Sequence, residues 1–324
     1  MSQTPIRPPF DPELVDTLEA IREAMGPITA ERLPTIRATI REAKGVAPVD
    51  LTVGGAVLVE ERTAPGPDGE PDITLLILRP AGDNDPLPGI YHVHGGGMVL
   101  GAKEDDVETF LPHVAAGRAV LVSVAYRLAP EHPDPAPVED TYAGLVWTAD
   151  HAAELGIDPD RLILTGISAG GGIAAGTALL ARDRGGPALT HQILLCPMLD
   201  DRFATPSSRM LDGEGSWDRN DNAFGWTCLL GDRRGTDAVS HYAAPARCED
   251  LTGLPRTYLD VGSTETFRDE VLDYARRLSE AGVTVDLHQW GGGFHAFDVV
   301  APDAAISRAA IATRNDFIER ALRR

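Results

Sequence analysis

Residues 162–176 read LILTGISAGGGIAAG, and Ser168 stands between Gly166 and Gly170 at G-x-S-x-G spacing. A short apolar run leads into the serine and a small-residue helix follows, so the hydroxyl is expected on a cramped strand-to-helix turn that only small neighbours permit. At such a helix start the backbone N–H groups are unpaired, and that of Ala169 could stabilise an oxyanion. A phosphate loop would need lysine and a hydroxyl residue after the glycines, and GGGIAAG offers neither. A dinucleotide fingerprint would follow the first strand of its unit, and this is a later one. Glycines serving helix packing beside an idle serine remain open on the pentapeptide alone.

A second glycine cluster, HVHGGGMVLG at 92–101, also follows an apolar run. Two of Gly95, Gly96 and Gly97 would donate N–H groups alongside Ala169 to complete an oxyanion hole. His94 is read as positioning that loop and His92 as an ordinary strand residue. A serine hydroxyl needs a base to take its proton. Of nine histidines, His295 in WGGGFHAFD lies directly after the last expected strand, where it can reach back over the carboxyl ends of a sheet. His113, His132, His151, His191, His241 and His288 have no such framing. The acid should follow the preceding strand, and YLDVGSTETFRDE offers Asp260 within the strand, Glu265 on the loop and Asp269 at a helix start, where capping competes.

The elements that must hold these groups can be read from periodicity. Leu14, Leu18, Ile21 and Met25 recur at helical spacing, as do Leu33, Ile36 and Ile40, so two amphipathic helices precede any strand. GAVLVEERTA and DITLLILRP, separated by PGPDGEP, read as an antiparallel pair. Then GIYHVHGG, AVLVSVAYR, RLILTGIS and HQILLCPM alternate with helical segments, which predicts a right-handed, mostly parallel β-α-β sheet with helices on both faces. The rhythm fails between 203 and 240 and resumes with RTYLDVGS, a helix, TVDLHQW and a closing helix from Ala304. The expected division is therefore one α/β core of residues 46–202 and 241–324, with a helical cap made of residues 1–45 and the insertion 203–240. Met98, Ile167, Met210, Trp217 and Phe224 are expected either to line an acyl or alcohol pocket or to pack the cap.

Composition bounds the partners. The 324-residue chain carries a formal net charge of −20, which opposes nucleic acid and anionic membrane surfaces. Cys196, Cys228 and Cys248 form no metal-ligand spacing, and no metal or other cofactor is expected. The opening MSQTPIRPPFDPELVD lacks the apolar core of a signal peptide and no run is long enough to span a bilayer, so a cytoplasmic protein is expected. A homodimer is left open.

Taken together, HGGG, YRLAPEHPDPAPVED, GISAGGG, GSTETFRDE and FHAF, in that order, resemble the bacterial hormone-sensitive-lipase branch of the α/β-hydrolase family. ARCEDLTGLPRTYLD and CPMLDDR are most similar to a heroin-esterase-like subgroup that includes esterases acting on acetylated alkaloids. The resemblance implies an α/β-hydrolase fold and a serine carboxylesterase hydrolysing small, short-acyl esters with water. It places the nucleophile at Ser168, the base at His295 and the acid at Glu265. Most members carry aspartate followed by Pro-Leu at the acid, where this chain has Glu265, Thr266 and Phe267, which keeps Asp269 as the alternative. Aspartate is also common where Ile167 and Ala125 stand. Tyr126, Arg127 and Glu131 match the family pattern and are read as structural. A binding protein similar to the plant gibberellin receptors would lack the base, and an acyltransferase would share the acyl-enzyme.

Overall fold

Alternation along the strands sends side chains to two separate cores. In the computed structural model, which describes residues 5–46, 49–82 and 85–323, eight strands form one sheet: β1 (Val57–Ala64), β2 (Ile73–Pro80), β3 (Leu87–Val93), β4 (Val120–Ala125), β5 (Ile157–Ile167), β6 (His191–Leu195), β7 (Arg256–Gly262) and β8 (Val285–Trp290). Their order is β1-β2-β4-β3-β5-β6-β7-β8. β1 and β2 pair antiparallel, β2 runs antiparallel to β4, and β3 to β8 are mutually parallel. This is an α/β-hydrolase fold. β5 begins at Ile157, four residues earlier than its apolar run suggested, because Leu87 of β3 pairs with Ile157.

The helices are α1 (Val15–Met25), α2 (Leu33–Val46), α3 (Leu111–Ala115), α4 (Ala136–Asp150), α5 (Ala152–Leu155), α6 (Ala169–Arg184), α7 (Ser207–Met210), α8 (Arg219–Leu230), α9 (Arg268–Glu280), α10 (Phe297–Val300) and α11 (Ala305–Ala321). Leu75, Ile77, Tyr91, Val93, Leu162 and Leu164 face the larger core with α4, α6 and α9. Leu76, Leu78, Ile90, Ile163 and Ile193 face a second one with α3 and α11. Two-sided burial is why these strands read as short continuous apolar runs. Among the described residues no helix is long and apolar enough to cross a membrane.

A third, small core joins the N-terminal lead to the last loop: Leu14 and Leu18 pack with Phe294 and Phe297, and Phe10 meets Phe294 edge to face. The Asp11 N–H donates to the Gly292 carbonyl at 3.0 Å. α2 is tied to the loop after β3 by Arg37, which donates to the Val99 and Ala129 carbonyls at 2.8 Å each and to Glu131 at 2.7 Å. The 203–240 segment meets the N-terminal segment through the Ile28 N–H, between α1 and α2, which donates to Asp221 at 3.0 Å, and through an Arg7–Glu214 ion pair. Residues 1–4 of the expected cap lie outside the described residues.

Candidate active site

β5 runs at the centre of the sheet and turns abruptly into α6. Ser168 sits at that turn with φ 58° and ψ −121°, a conformation that strains any L-residue. The turn is held from both sides: the Ser168 N–H donates to Leu195 at 2.8 Å, and its carbonyl accepts from Met198 at 3.0 Å. Small neighbours are a steric requirement. A Cβ on Gly166 would fall 2.1 Å from the Gly170 carbonyl oxygen, and one on Gly170 would fall 2.2 Å from that of Val93. The spacing around the serine therefore records close backbone approach between β5, α6 and β3.

Loops after β8 and β7 build a chain of hydrogen bonds onto the Ser168 hydroxyl. His295, on the loop after β8, places Nε2 at 2.8 Å from Ser168 Oγ. Its Nδ1 lies 2.6 Å from Glu265 Oε1, on the loop after β7. Glu265 is fully buried, and its other oxygen accepts the Gly262 N–H at 2.8 Å. Nδ1 must then carry the proton, leaving Nε2 free to accept from the serine. The ring is packed edge-on against Phe267, with centroids 5.1 Å apart. Asp269 is turned elsewhere. Its carboxylate accepts the Ser207 N–H at 2.8 Å and pairs with Arg268, so it anchors α7 to α9 rather than approaching the imidazole.

The loop after β3 is pinned peptide by peptide. His94 Nδ1 lies 2.8 Å from the Gly95 carbonyl, and the ring stacks on Tyr126, whose hydroxyl donates to the His94 carbonyl at 3.0 Å. Burial lowers the His94 pKa to about 4, so the ring is neutral and Nδ1–H is the donor. Fixing the Gly95 carbonyl turns the Gly96 N–H the opposite way, because the two share one trans peptide plane. His92 is more than strand filling, since its Nε2 lies 3.1 Å from the Asp105 carbonyl. Among the described residues, the N–H groups of Gly96, Gly97 and Ala169 donate to no protein acceptor. The Gly95 N–H is taken by Asp106 at 2.9 Å, which removes it from the three candidate donors.

Ser168, His295, Gly96 and Gly97 open into a cleft of about 840 Å³. Ile167 and Trp217 line it, and a Cβ on Gly97 would meet the Trp217 ring at 2.1 Å. Met98, Met210 and Phe224 do not reach it. Met98 is buried beneath the glycine loop, Met210 is buried in α7, and Phe224 on α8 packs down on the larger core. Their places are taken by Ile21, Met25, Ile28 and Ile40 from the N-terminal segment; helix periodicity in the expected cap marks Ile21, Met25 and Ile40, and nothing in the sequence singles out Ile28. One group of described residues could hold a metal: Cys196, Glu265 and His295 offer donor atoms within 4.8 Å of one another. Glu265 and His295 already share a hydrogen bond, so a cation there would draw the imidazole from its acid.

Residues 90–299 match a family described as alpha/beta hydrolase fold. The chain belongs to the α/β-hydrolase family. Within it, the hydrolase is 36% identical over 314 residues to carboxylesterase NlhH of Mycobacterium tuberculosis, covering 93% of this chain and 94% of that one. Among solved structures it is similar to a bacterial heroin esterase, with a TM-score of 0.89 and 38% identity over 97% of this chain and 98% of that one. It is also similar to esterase LipW from Mycobacterium marinum, with a TM-score of 0.84 and 33% identity over the whole of both chains. The hormone-sensitive-lipase-like resemblance read from the motifs agrees with these matches.

Proposed function

We propose that this carboxylic ester hydrolase works through a covalent acyl-enzyme on Ser168 and acts on small, short-acyl esters. The observation that carries the reading is the unbroken relay Ser168 Oγ to His295 Nε2 at 2.8 Å and His295 Nδ1 to Glu265 Oε1 at 2.6 Å. Ser168 attacks the ester carbonyl while His295 takes its proton. The tetrahedral oxyanion is held by the N–H groups of Gly96, Gly97 and Ala169, which have no other protein acceptor among the described residues. His295 then returns the proton to the leaving alcohol, and water, activated by the same imidazole, releases the acid. Glu265 holds the imidazole tautomer and balances the imidazolium.

α1, α2 and the 203–240 segment act as a cap, because their apolar side chains close the cleft over Ser168. Trp217, packed on Gly97 with its centroid 6.4 Å from that of His295, narrows the space beside the reacting carbonyl and supports the short-acyl preference. Ser168→Ala should lower turnover of a short-chain nitrophenyl ester by at least about 10³-fold, and a fluorophosphonate should label wild type but not the variant. Wild-type turnover in Ser168→Ala would remove the nucleophile assignment.

A further inference from the structure

The Gly95 N–H has a partner that the reaction itself does not require. Asp106 reaches back from the loop after β3 and accepts it on Oδ2 at 2.9 Å. To do so the residue takes φ 63°, the left-handed region, which aspartate tolerates better than most residues. Among the described residues this N–H is the one hydrogen-bond donor to the carboxylate, and no cation pairs with it. Lys44 of α2 is engaged by the neighbouring Asp105. The carboxylate lines the same cleft as Ser168. Its negative charge there opposes a developing oxyanion, so electrostatics gives no reason to keep it, whereas geometry does.

With His94 holding the carbonyl of Gly95 and Asp106 holding its N–H, both peptide groups flanking the first glycine are fixed. We propose that Asp106 is a positioning residue for the oxyanion hole: it locks Gly95 so that the next two glycine N–H groups stay aimed at the reacting carbonyl. The inference rests on the serine mechanism above. The side chain before the nucleophile presses on the same glycine. A Cβ on Gly95 would lie 3.3 Å from Asp106 Oδ2 and 3.3 Å from Ile167 Cγ2. A carboxylate placed at position 167 would therefore stand where it could accept the same N–H. Burial raises the Asp106 carboxyl to about 6, with Asp105 and Glu108 adding to the rise and the Gly95 N–H and Lys44 opposing it. At pH 8 it is an ionised acceptor.

The test compares Asp106→Ala, Asp106→Asn and Asp106→Ala/Ile167→Asp at pH 8 on one nitrophenyl ester, with folding checked by circular dichroism and thermal unfolding. Removing an oxyanion donor outright costs about 10²–10³ in turnover, and a loosened donor costs less. Asp106→Ala should lower kcat about tenfold with KM within about twofold, because the loss is felt in the transition state. Asp106→Asn keeps an acceptor and should retain wild-type kcat to within about twofold. The double variant should recover at least half of the lost kcat. Wild-type kcat in Asp106→Ala, or an equal fall in Asp106→Ala and Asp106→Asn, overturns the positioning role. If Asp106→Ala does not fold, the other two variants decide: both must turn over at or near the wild-type rate. An active Ser168→Ala would sink the underlying mechanism instead, whereas an inactive Ser168→Ala with an unimpaired Asp106→Ala sinks this inference alone.

Discussion

Two carboxylates at the start of α9 illustrate how a residue's role follows from which neighbour its oxygens face. Glu265 is buried, accepts the Gly262 N–H at 2.8 Å and meets His295 at 2.6 Å. Asp269, four residues on, spends its carboxylate on Ser207 and Arg268, which hold it below the ordinary range against the opposing effect of burial. Glu265→Gln should therefore cut turnover by about 10²–10⁴-fold with little change in KM, because an amide cannot hold the imidazole in the required tautomer. Asp269→Asn should leave turnover within about threefold and lower the unfolding midpoint, since it weakens the α7 anchor. Steady-state kinetics and thermal unfolding of both variants check this, and a turnover loss confined to Asp269→Asn would exchange the roles.

At the scale of elements, the site depends on segments that contribute no reacting group. The lead packs on the His295 loop through Phe10, Leu14 and Leu18, while Arg37 on α2 grips the chain just beyond the Gly95–Gly97 loop. Arg37 bonds two carbonyls and one carboxylate, and Glu131 is more than half exposed. Its ion pair should thus contribute little, and the carbonyl bonds more. Arg37→Ala is expected to cost about 1–3 kcal/mol and to speed proteolysis within the N-terminal helices, with Glu131→Ala costing under about 1 kcal/mol. Urea unfolding and limited proteolysis measure both; equal losses would place the stabilisation in the ion pair.

Over the whole molecule, β7, α10 and α11 are joined by a buried charged cluster behind the relay. Arg314 donates to Asp298 at 2.7 Å, and Asp260 accepts from the Tyr258 hydroxyl at 3.2 Å and the Cys196 N–H at 3.3 Å. Burial pushes Asp260 up to about 7, with Arg314 opposing and Asp298 adding to the shift. Its folded-state pKa lies above the ordinary 3.8, so the folded protein binds the proton more tightly than the unfolded chain. That contribution is fully present below the unfolded value and is lost as pH rises through about 7. Asp106, raised to about 6, and Glu270, raised by burial, act in the same direction. His92 and His94, lowered by burial to about 3 and about 4, act the other way over the same range, so the readout is the difference between wild type and variant. From pH 8 to pH 5.5, Asp260→Asn should gain less thermal stability, or lose more, than wild type. Identical pH profiles in the two would show that Asp260 contributes nothing to the pH dependence.

The linear chain determined the sheet, its eight strands and the candidates for the reacting groups, because two-sided burial, strand-to-helix turns and loop-borne histidines each demand particular residue types at short spacing. Gly166 announces Ser168 through its contact with Gly170 four residues on, whereas the small size of Gly170 answers to Val93 in a different strand. The preference for Glu265 over Asp269 came from loop position and family register, while their actual partners were decided in three dimensions. The tertiary structure also decided which glycine N–H is occupied, which apolar side chains reach the cleft, and what steadies each loop. Asp106 lies eleven residues from Gly95, and Arg37 lies 62 from Val99. Met98, Met210 and Phe224 are as apolar as Ile21, Met25 and Ile28, so hydrophobicity could not separate core from cleft. Only the packing of the N-terminal helices over the carboxyl ends of the strands does so.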